Sequence, residues 1–297
     1  MDNKNKIKVS SGEKIFQMVS AIVAILIAFV MIYPMYYVII ASFSNAEKLV
    51  AFNGFLIKPL SPTLLAYKQA FKNPMIFKGY ANTIFIVVAG VTVNMLLTSI
   101  GAYFLSCKNA RLVKPCMLLI TFTMFFQGGM IPFYFAVKDL GLDGSRWALI
   151  IPSAVNTFNM IIMKTSFQSL PDSLKESANI DGAGHVTILF KIVLPVSKSV
   201  LAVIALYYAV AHWNAWFNAM LFLKEREQFP LQLILREILI QNNMESMSQD
   251  VSASELGFIS ETIKYAIIVI ATIPILCIYP FIQKYFEKGV MIGSLKG

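Results

Sequence analysis

Six stretches of this chain contain no Asp, Glu, Lys or Arg: Phe16 to Phe43, Asn82 to Ser106, Pro115 to Ala136, Trp147 to Met163, Ser199 to Leu223 and Tyr265 to Gln283. A bilayer core takes up about 20 mostly apolar residues as one helix, with a working range of roughly 17–25, and the stretches fit that requirement. A soluble chain of this length would show amphipathic periods instead. Composition agrees: 57% of the residues are hydrophobic and 14% are charged, against about 25% charged in soluble domains. The expected fold is all-α, a polytopic integral membrane protein of about six transmembrane helices.

The first stretch follows Lys4, Lys6, Lys8 and Lys14, which resembles the start of a signal peptide. A signal core is only about 7–15 residues long and ends at a small-residue cleavage site. This run is longer and continues into Tyr33-Pro34 and Tyr36-Tyr37, so it reads as a retained anchor helix. Cys107, Cys116 and Cys277 lie at or within apolar stretches without metal-ligand spacing, and are expected to be buried free thiols.

Lys and Arg in short loops set orientation. They cluster in the N-terminal tail, at Lys108, Arg111 and Lys114, at Lys164, Lys175, Lys191 and Lys198, and at Lys284, Lys288 and Lys296. The segment after the fifth stretch is acidic, with Glu225, Glu227, Glu237, Glu245, Asp250, Glu255 and Glu261. Both termini are therefore expected in the cytoplasm of a multi-pass protein of the cell membrane. The longer loop from Ser44 to Ala81 dissents with five lysines, and long loops weigh less in this rule. The net charge of +9 is a topology signal, not a sign of nucleic-acid binding. The expected organisation is a cytoplasmic tail over 1–15, a transmembrane domain over 16–287 and a cytoplasmic tail over 288–297.

The most informative loop is cytoplasmic and runs from about Ser169 to Ser197. Ser173 followed by Glu176 has capping-box spacing, which predicts a helix start there. Asp181-Gly182 predicts its end, since glycine accepts the left-handed conformation of a helix terminus. A second short helix is expected toward Leu194, with Pro195 opening the next span. Leu174 and Ala178 share one face, and the small Ser177, Ala178 and Ala183 allow close approach of another protein. Without further information the loop could equally be a plain connector.

The same loop resembles the EAA motif of binding-protein-dependent ABC import permeases: Glu-Ala-Ala, three residues, Gly, nine residues, Ile, one residue, Leu-Pro. Glu176, Ala178, Gly182, Ile192, Leu194 and Pro195 stand at that spacing, with Ser177 in place of the first alanine. Asp181-Gly182-Ala183 matches the carbohydrate-permease version. The resemblance covers most of the chain. Tyr33-Pro34 through Ser42-Phe43-Ser44 is similar to the end of the family's first helix, Pro59, Tyr67 and Asn82-Thr83 to its first external loop and second helix, and Trp213-Asn214 to a Trp-Asn pair in the fifth. Lys288-Gly289, Gly293 and Lys296-Gly297 resemble the C-terminal signature of the smaller sugar-permease subunit, like the second subunit of maltose permease. Phe125 to Pro132 and Pro230 to Glu237 resemble a subgroup linked to uptake of oligosaccharides from complex polysaccharides or glycans.

This resemblance implies an ABC importer type I permease-like fold. The loop would dock on an ATPase subunit through Glu176, Ser177, Ala178, Asp181, Gly182, Ala183, Ile192, Leu194 and Pro195. It also implies a homologous second permease subunit, two ATPase subunits, an extracellular solute-binding protein and an oligosaccharide substrate within the lipid bilayer. The chain itself would bind no cofactor, and the partner ATPases would hydrolyse ATP. The alternatives are an ABC permease for a non-sugar solute, or an ATP-independent carrier or channel.

Independent features agree. The chain has no G-x-x-x-x-G-K-[ST] phosphate loop. Its charge-free stretches also lack the embedded Asp, Glu or Arg of ion-coupled carriers, and His212 has no carboxylate near it in sequence to suggest catalysis. For a translocation path, helical spacing places Tyr207, Asn214 and Asn218 on one stripe of the fifth stretch and Tyr208, His212 and Trp216 on the opposite one. Sugar recognition uses aromatic faces and hydrogen-bonding side chains, but polar residues in spans also bond neighbouring helices. Gln127, Asn156 and Asn159 carry the same ambiguity. Finally, Leu231, Ile234, Leu235, Ile238 and Leu239 fall at helical spacing and predict an apolar face resting on the bundle or the membrane surface.

Overall fold

The structure is a computed structural model that describes residues 10–107, 111–241, 262–278 and 280. The expected tail over 288–297 and most of the acidic segment beyond Gln241 lie outside the described residues, as do Lys288, Gly289, Gly293, Lys296 and Gly297. Every regular element described is helical: α1 Ser11–Ser42, α2 Ala46–Val50, α3 Leu65–Lys72, α4 Pro74–Ser106, α5 Val113–Phe125, α6 Met130–Asp139, α7 Thr157–Gln168, α8 Asp172–Ile180, α9 His185–Ile188, α10 Leu194–Val196, α11 Lys198–Trp213, α12 Phe217–Phe222 and α13 Leu231–Gln241. A last apolar helix, α14, covers Thr262–Ile278.

The chain divides into two compact units. The first comprises Met1–Ala70 and Met244–Val269. Here Ala41, Leu49 and Leu56 form a small core with Tyr37, Ile40, Leu60 and Tyr265. The loop after α1 is tied to that helix by polar groups: Tyr33 accepts from the Leu56 amide at 3.1 Å, Ser44 accepts from that of Leu60 at 3.1 Å, and Ser42 bonds the Tyr67 hydroxyl at 2.7 Å. Along most of α1 the apolar side chains are exposed, as expected of a helix whose solvent is lipid.

The second unit comprises Phe71–Asn243 and Ile270–Gly297, and α4 is its axis. Pro74 starts this helix, where a missing N–H costs nothing, and the Asn73 side chain caps it by accepting from Met75. At Gly79 and Gly90 an added Cβ would lie 2.6 Å from Ile234 and 2.4 Å from His212 respectively. Glycine at these two positions is what lets α13 and α11 pack so close to α4.

Among the described residues, two helices, Gly12–Ser42 and Pro74–Ser106, are long and apolar enough to cross a membrane. Three of the charge-free stretches do not form single helices. Pro115 to Ala136 is split between α5 and α6 around Gly129, whose φ of 85° lies in the left-handed region. Trp147 to Met163 begins as a 3-10 turn and becomes α7 only at Thr157. Ser199 to Leu223 is interrupted between Trp213 and Phe217. The sequence pattern reports apolar surroundings, and it does not report where the backbone breaks. The cysteines are free, but not buried as expected: Cys107 and Cys116 are half-buried, and Cys277 is exposed.

Candidate functional site

The loop between α7 and α11 is a helix–turn–helix with two shifted boundaries. Its first helix, α8, is preceded by Pro171 and not by Ser173. The capping box is therefore not formed: Ser173 sits inside the first turn, because proline's fixed φ suits the turn into the helix and Asp172 supplies the acidic residue favoured there. The end of α8 is as expected. Gly182 has φ +79°, its amide donates to Asn179 at 3.0 Å, and that of Ala183 donates to Ala178 at 2.9 Å. This pair of bonds is the Schellman closure. Beyond it, α9 widens into a π-helical turn over Leu189–Val193. Pro195 can neither donate to the carbonyl four residues back nor fit against it, and the wide turn precedes it. Pro195 does not open the next span. It lies in α10, and an 88° bend separates His185–Val196 from Lys198–Trp213.

One side of this loop is anchored. Ala178, Ile188, Leu189 and Val193 are buried in a core with Ala102, Tyr103 and Leu105 of α4, Met163 and Phe167 of α7, and Ile204 and Tyr208 of α11. Ala183, Ile192 and Leu194 pack against that core. Tyr103 hydrogen-bonds His185 Nδ1 at 3.2 Å, and Lys175 caps α7 by donating to the Phe167 carbonyl at 3.2 Å. The other side is open. Glu176, Ser177, Asp181, Gly182 and Pro195 are exposed, and Ile180 and Val186 stand 86% and 72% exposed on either side of the glycine turn.

A second polar group holds the break before α7 and ties the end of α11 to α4. The buried Asn94 on α4 donates to the carbonyls of Ser153 and Ala154 at 2.7 and 3.0 Å, and its Oδ1 is 2.8 Å from His212 Nε2. One turn along, Thr98 bonds the Tyr208 hydroxyl at 2.7 Å, and that hydroxyl accepts from the Asn156 amide at 3.0 Å. Backbone groups freed at a break within a membrane have to find partners in the protein, and these side chains supply them. Asn94 was missed in the sequence, although an amide in the middle of a charge-free stretch, with Gly90 and Thr98 four residues either side, was the available signal.

The path candidates are separated by the same geometry. His212 and Tyr208 are buried and bonded to α4. Trp216 is half-buried under Arg236, whose guanidinium lies 3.9 Å from the ring centre. Tyr207 is exposed on α11, Asn214 is exposed at the end of that helix with its amide donated to the Val210 carbonyl, and Asn218 is half-buried on α12. The stripe drawn along one helix is thus divided over two. Asn156 caps α7 by accepting from the Asn159 amide at 3.0 Å, Asn159 is buried, and Gln127 is exposed in the break between α5 and α6.

At the opposite end of α4 from the helix–turn–helix, charged groups gather. Lys78 pairs with Glu227 at 2.7 Å and Lys224 with Asp143 at 2.5 Å, while Arg226 pairs with Glu237 at 3.2 Å. Lys78 holds the Glu227 carboxyl below its usual range, and Asp143 raises Lys224. Asn82 donates to the Glu227 and Phe229 carbonyls at 2.7 and 3.1 Å and accepts from Arg146 at 3.0 Å. Helix α13 buries Leu231, Ile234, Leu235 and Ile238 as its spacing predicts, and the Leu231 amide donates to Thr83 at 2.8 Å.

Comparison with known proteins decides the family. The chain is 44% identical over 288 residues to a Bacillus subtilis polygalacturonan/rhamnogalacturonan transport system permease protein, YtcP, covering 96% of this chain and 99% of that one. The chain belongs to the carbohydrate ABC importer permeases. The permease is also 25% identical to the diacetylchitobiose uptake system permease protein NgcG of Streptomyces coelicolor, over 97% of this chain and 91% of the relative. Its fold matches a chain in the crystal structure of a bacterial ABC transporter involved in the import of the acidic polysaccharide alginate, with a TM-score of 0.85, 35% identity, and coverage of 93% of this chain and 98% of that one. No protein-family model matches the permease. Its relatives are transport subunits and not enzymes, and their kind works with ATPase and substrate-binding partners.

Proposed function

We propose that the permease is half of the membrane pore of an oligosaccharide importer and that residues 169–197 couple it to an ATPase subunit. The observation that carries this reading is the two-sided loop. Ile180 and Val186 are presented outward around the Gly182 turn, while Ala178, Ile188, Leu189 and Val193 fasten the same loop to α4, α7 and α11. A groove on an ATPase could grip the exposed side, and the packed side would pass its movement into the bundle. Close packing transmits displacement because protein interiors have low compressibility.

In this reading the six charge-free stretches make six crossings, three of them broken, with both termini in the cytoplasm. A homologous second permease, two ATPases and an extracellular binding protein complete the machine, and the ATPases hydrolyse ATP. Tyr207, Asn214 and Asn218 face the route, while Tyr208 and His212 hold the bundle. The named substrates of YtcP and of the alginate importer support an acidic, uronate-containing oligosaccharide for this permease as well.

Gly182→Pro tests the coupling role. Proline cannot adopt φ +79° and has no amide to donate to Asn179, so the turn must rearrange. Uptake and transport-stimulated ATP hydrolysis should fall together in the assembled complex, with the level of the permease in the membrane preserved. A well-expressed variant that transports at the unmodified rate would refute the assignment.

A further inference from the structure

Among the described residues, the end of the bundle near α13 contains two arginines without a carboxylate partner: Arg236, which lies over the Trp216 ring, and Arg146. Lys78, Lys224 and Arg226 each hold an acidic partner. Arg146 holds none among the described residues, and Asp143 and Glu227 are paired with Lys224 and Lys78. Arg146 is nevertheless fixed in place. One guanidinium nitrogen donates to Asn82 Oδ1 at 3.0 Å, and the carbon of the fork lies 4.5 Å from the centre of the Phe85 ring. Asn82 is itself buried and held by two backbone carbonyls. Guanidinium carries five donors in a rigid plane, so the other nitrogens are left for a ligand. Beside it the Phe85 and Trp147 rings, 6.2 Å apart and near-perpendicular, are 37% and 43% exposed.

We propose that Arg146, with the rings of Phe85 and Trp147, recognises the carboxylate of a uronate residue as an acidic oligosaccharide passes this end of the bundle. A planar fork matches a carboxylate through two parallel bonds, which lysine cannot reproduce, and aromatic faces accept the apolar faces of a sugar ring. Neither element alone selects an acidic sugar, and here they are adjacent and positioned by a buried amide. The inference rests on the oligosaccharide-import reading and extends it to one site.

The test uses the complete importer in proteoliposomes, with its partner permease, ATPases and binding protein. A galacturonate trimer and its carboxyl-reduced, neutral counterpart are the probes. Arg146→Gln should lower uptake of the acidic trimer by about tenfold or more, the scale expected for losing a charge-assisted bond, and leave the neutral trimer unchanged. Arg146→Lys, which keeps the charge and supports assembly, should show a partial loss of the same kind. Equal loss for both sugars, whether accompanied by lower complex yield or by a changed dependence on anionic lipid, would overturn the site in favour of packing or of a lipid phosphate. Normal acidic uptake by the unmodified importer with unchanged discrimination in Arg146→Gln would overturn the site alone. Failure of the unmodified importer to take up the acidic trimer would overturn the substrate class and the site with it.

Discussion

Gly90 and Asn94 show how much one helical turn of α4 carries. The space above Gly90 is filled by the His212 ring, with three of its atoms within 2.8 Å of where a Cβ would stand. Gly90→Ala must push α11 away and loosen the 2.8 Å contact between His212 and Asn94. Overpacking of this kind costs about 1–3 kcal/mol, so the purified complex should melt at a lower temperature. Asn94→Leu should cost at least as much, because the freed Ser153 and Ala154 carbonyls and the His212 ring are left without their partner, at about 1–3 kcal/mol for each buried group unsatisfied. Combining the two should cost less than their sum, since both act through His212. Additive losses in thermal denaturation would show that Gly90 and Asn94 act separately.

Among elements, α13 depends on α4 for its seat. At Gly79 an added Cβ would meet the Leu231 Cα at 3.1 Å as well as the Ile234 methyl, and backbone cannot give way as a side chain can. Gly79→Val should therefore detach α13 and expose the chain around Arg226 and Arg236 to trypsin. Faster cleavage of the variant in native membranes is the expected outcome, and an unchanged digestion rate would contradict it. The face of α13 was legible in the sequence because Leu231, Ile234, Leu235 and Ile238 repeat at helical spacing. So was the close of α8, where a glycine is needed for φ +79°. The start of α8 was not, since Pro171 displaced a capping box that local spacing favoured. Nor was the break between the 3-10 turn at Trp147 and α7: it sits in apolar sequence, and the groups that satisfy it, Asn94 and Tyr208, come from a distant part of the chain. Arg146 escaped notice for the same reason, as its meaning depends on Asn82 and Phe85.

For the whole molecule, α4 supplies a ruler. Asn82, near one end, is bonded to the 226–229 turn before α13, and Tyr103, near the other, is bonded to His185 in the helix–turn–helix. At 1.5 Å per residue these two positions lie about 32 Å apart along the axis, close to the roughly 30 Å of a hydrocarbon core. Between them α4 carries no charged residue. A helix crossing the bilayer over this interval puts the two loops in water on opposite sides. In the proposed topology the basic clusters beside the helix–turn–helix set it on the cytoplasmic side. With Cys107, Cys116 and Cys277 replaced, a single cysteine at Glu225 should react with an impermeant maleimide added to intact cells, and one at Asn179 should react only after the membrane is opened. The exposed positions of both residues make non-reaction informative. Reversed labelling would invert the orientation and remove the helix–turn–helix from the reach of a cytoplasmic ATPase; labelling of both from outside would mean that α4 does not cross the membrane between Asn82 and Tyr103.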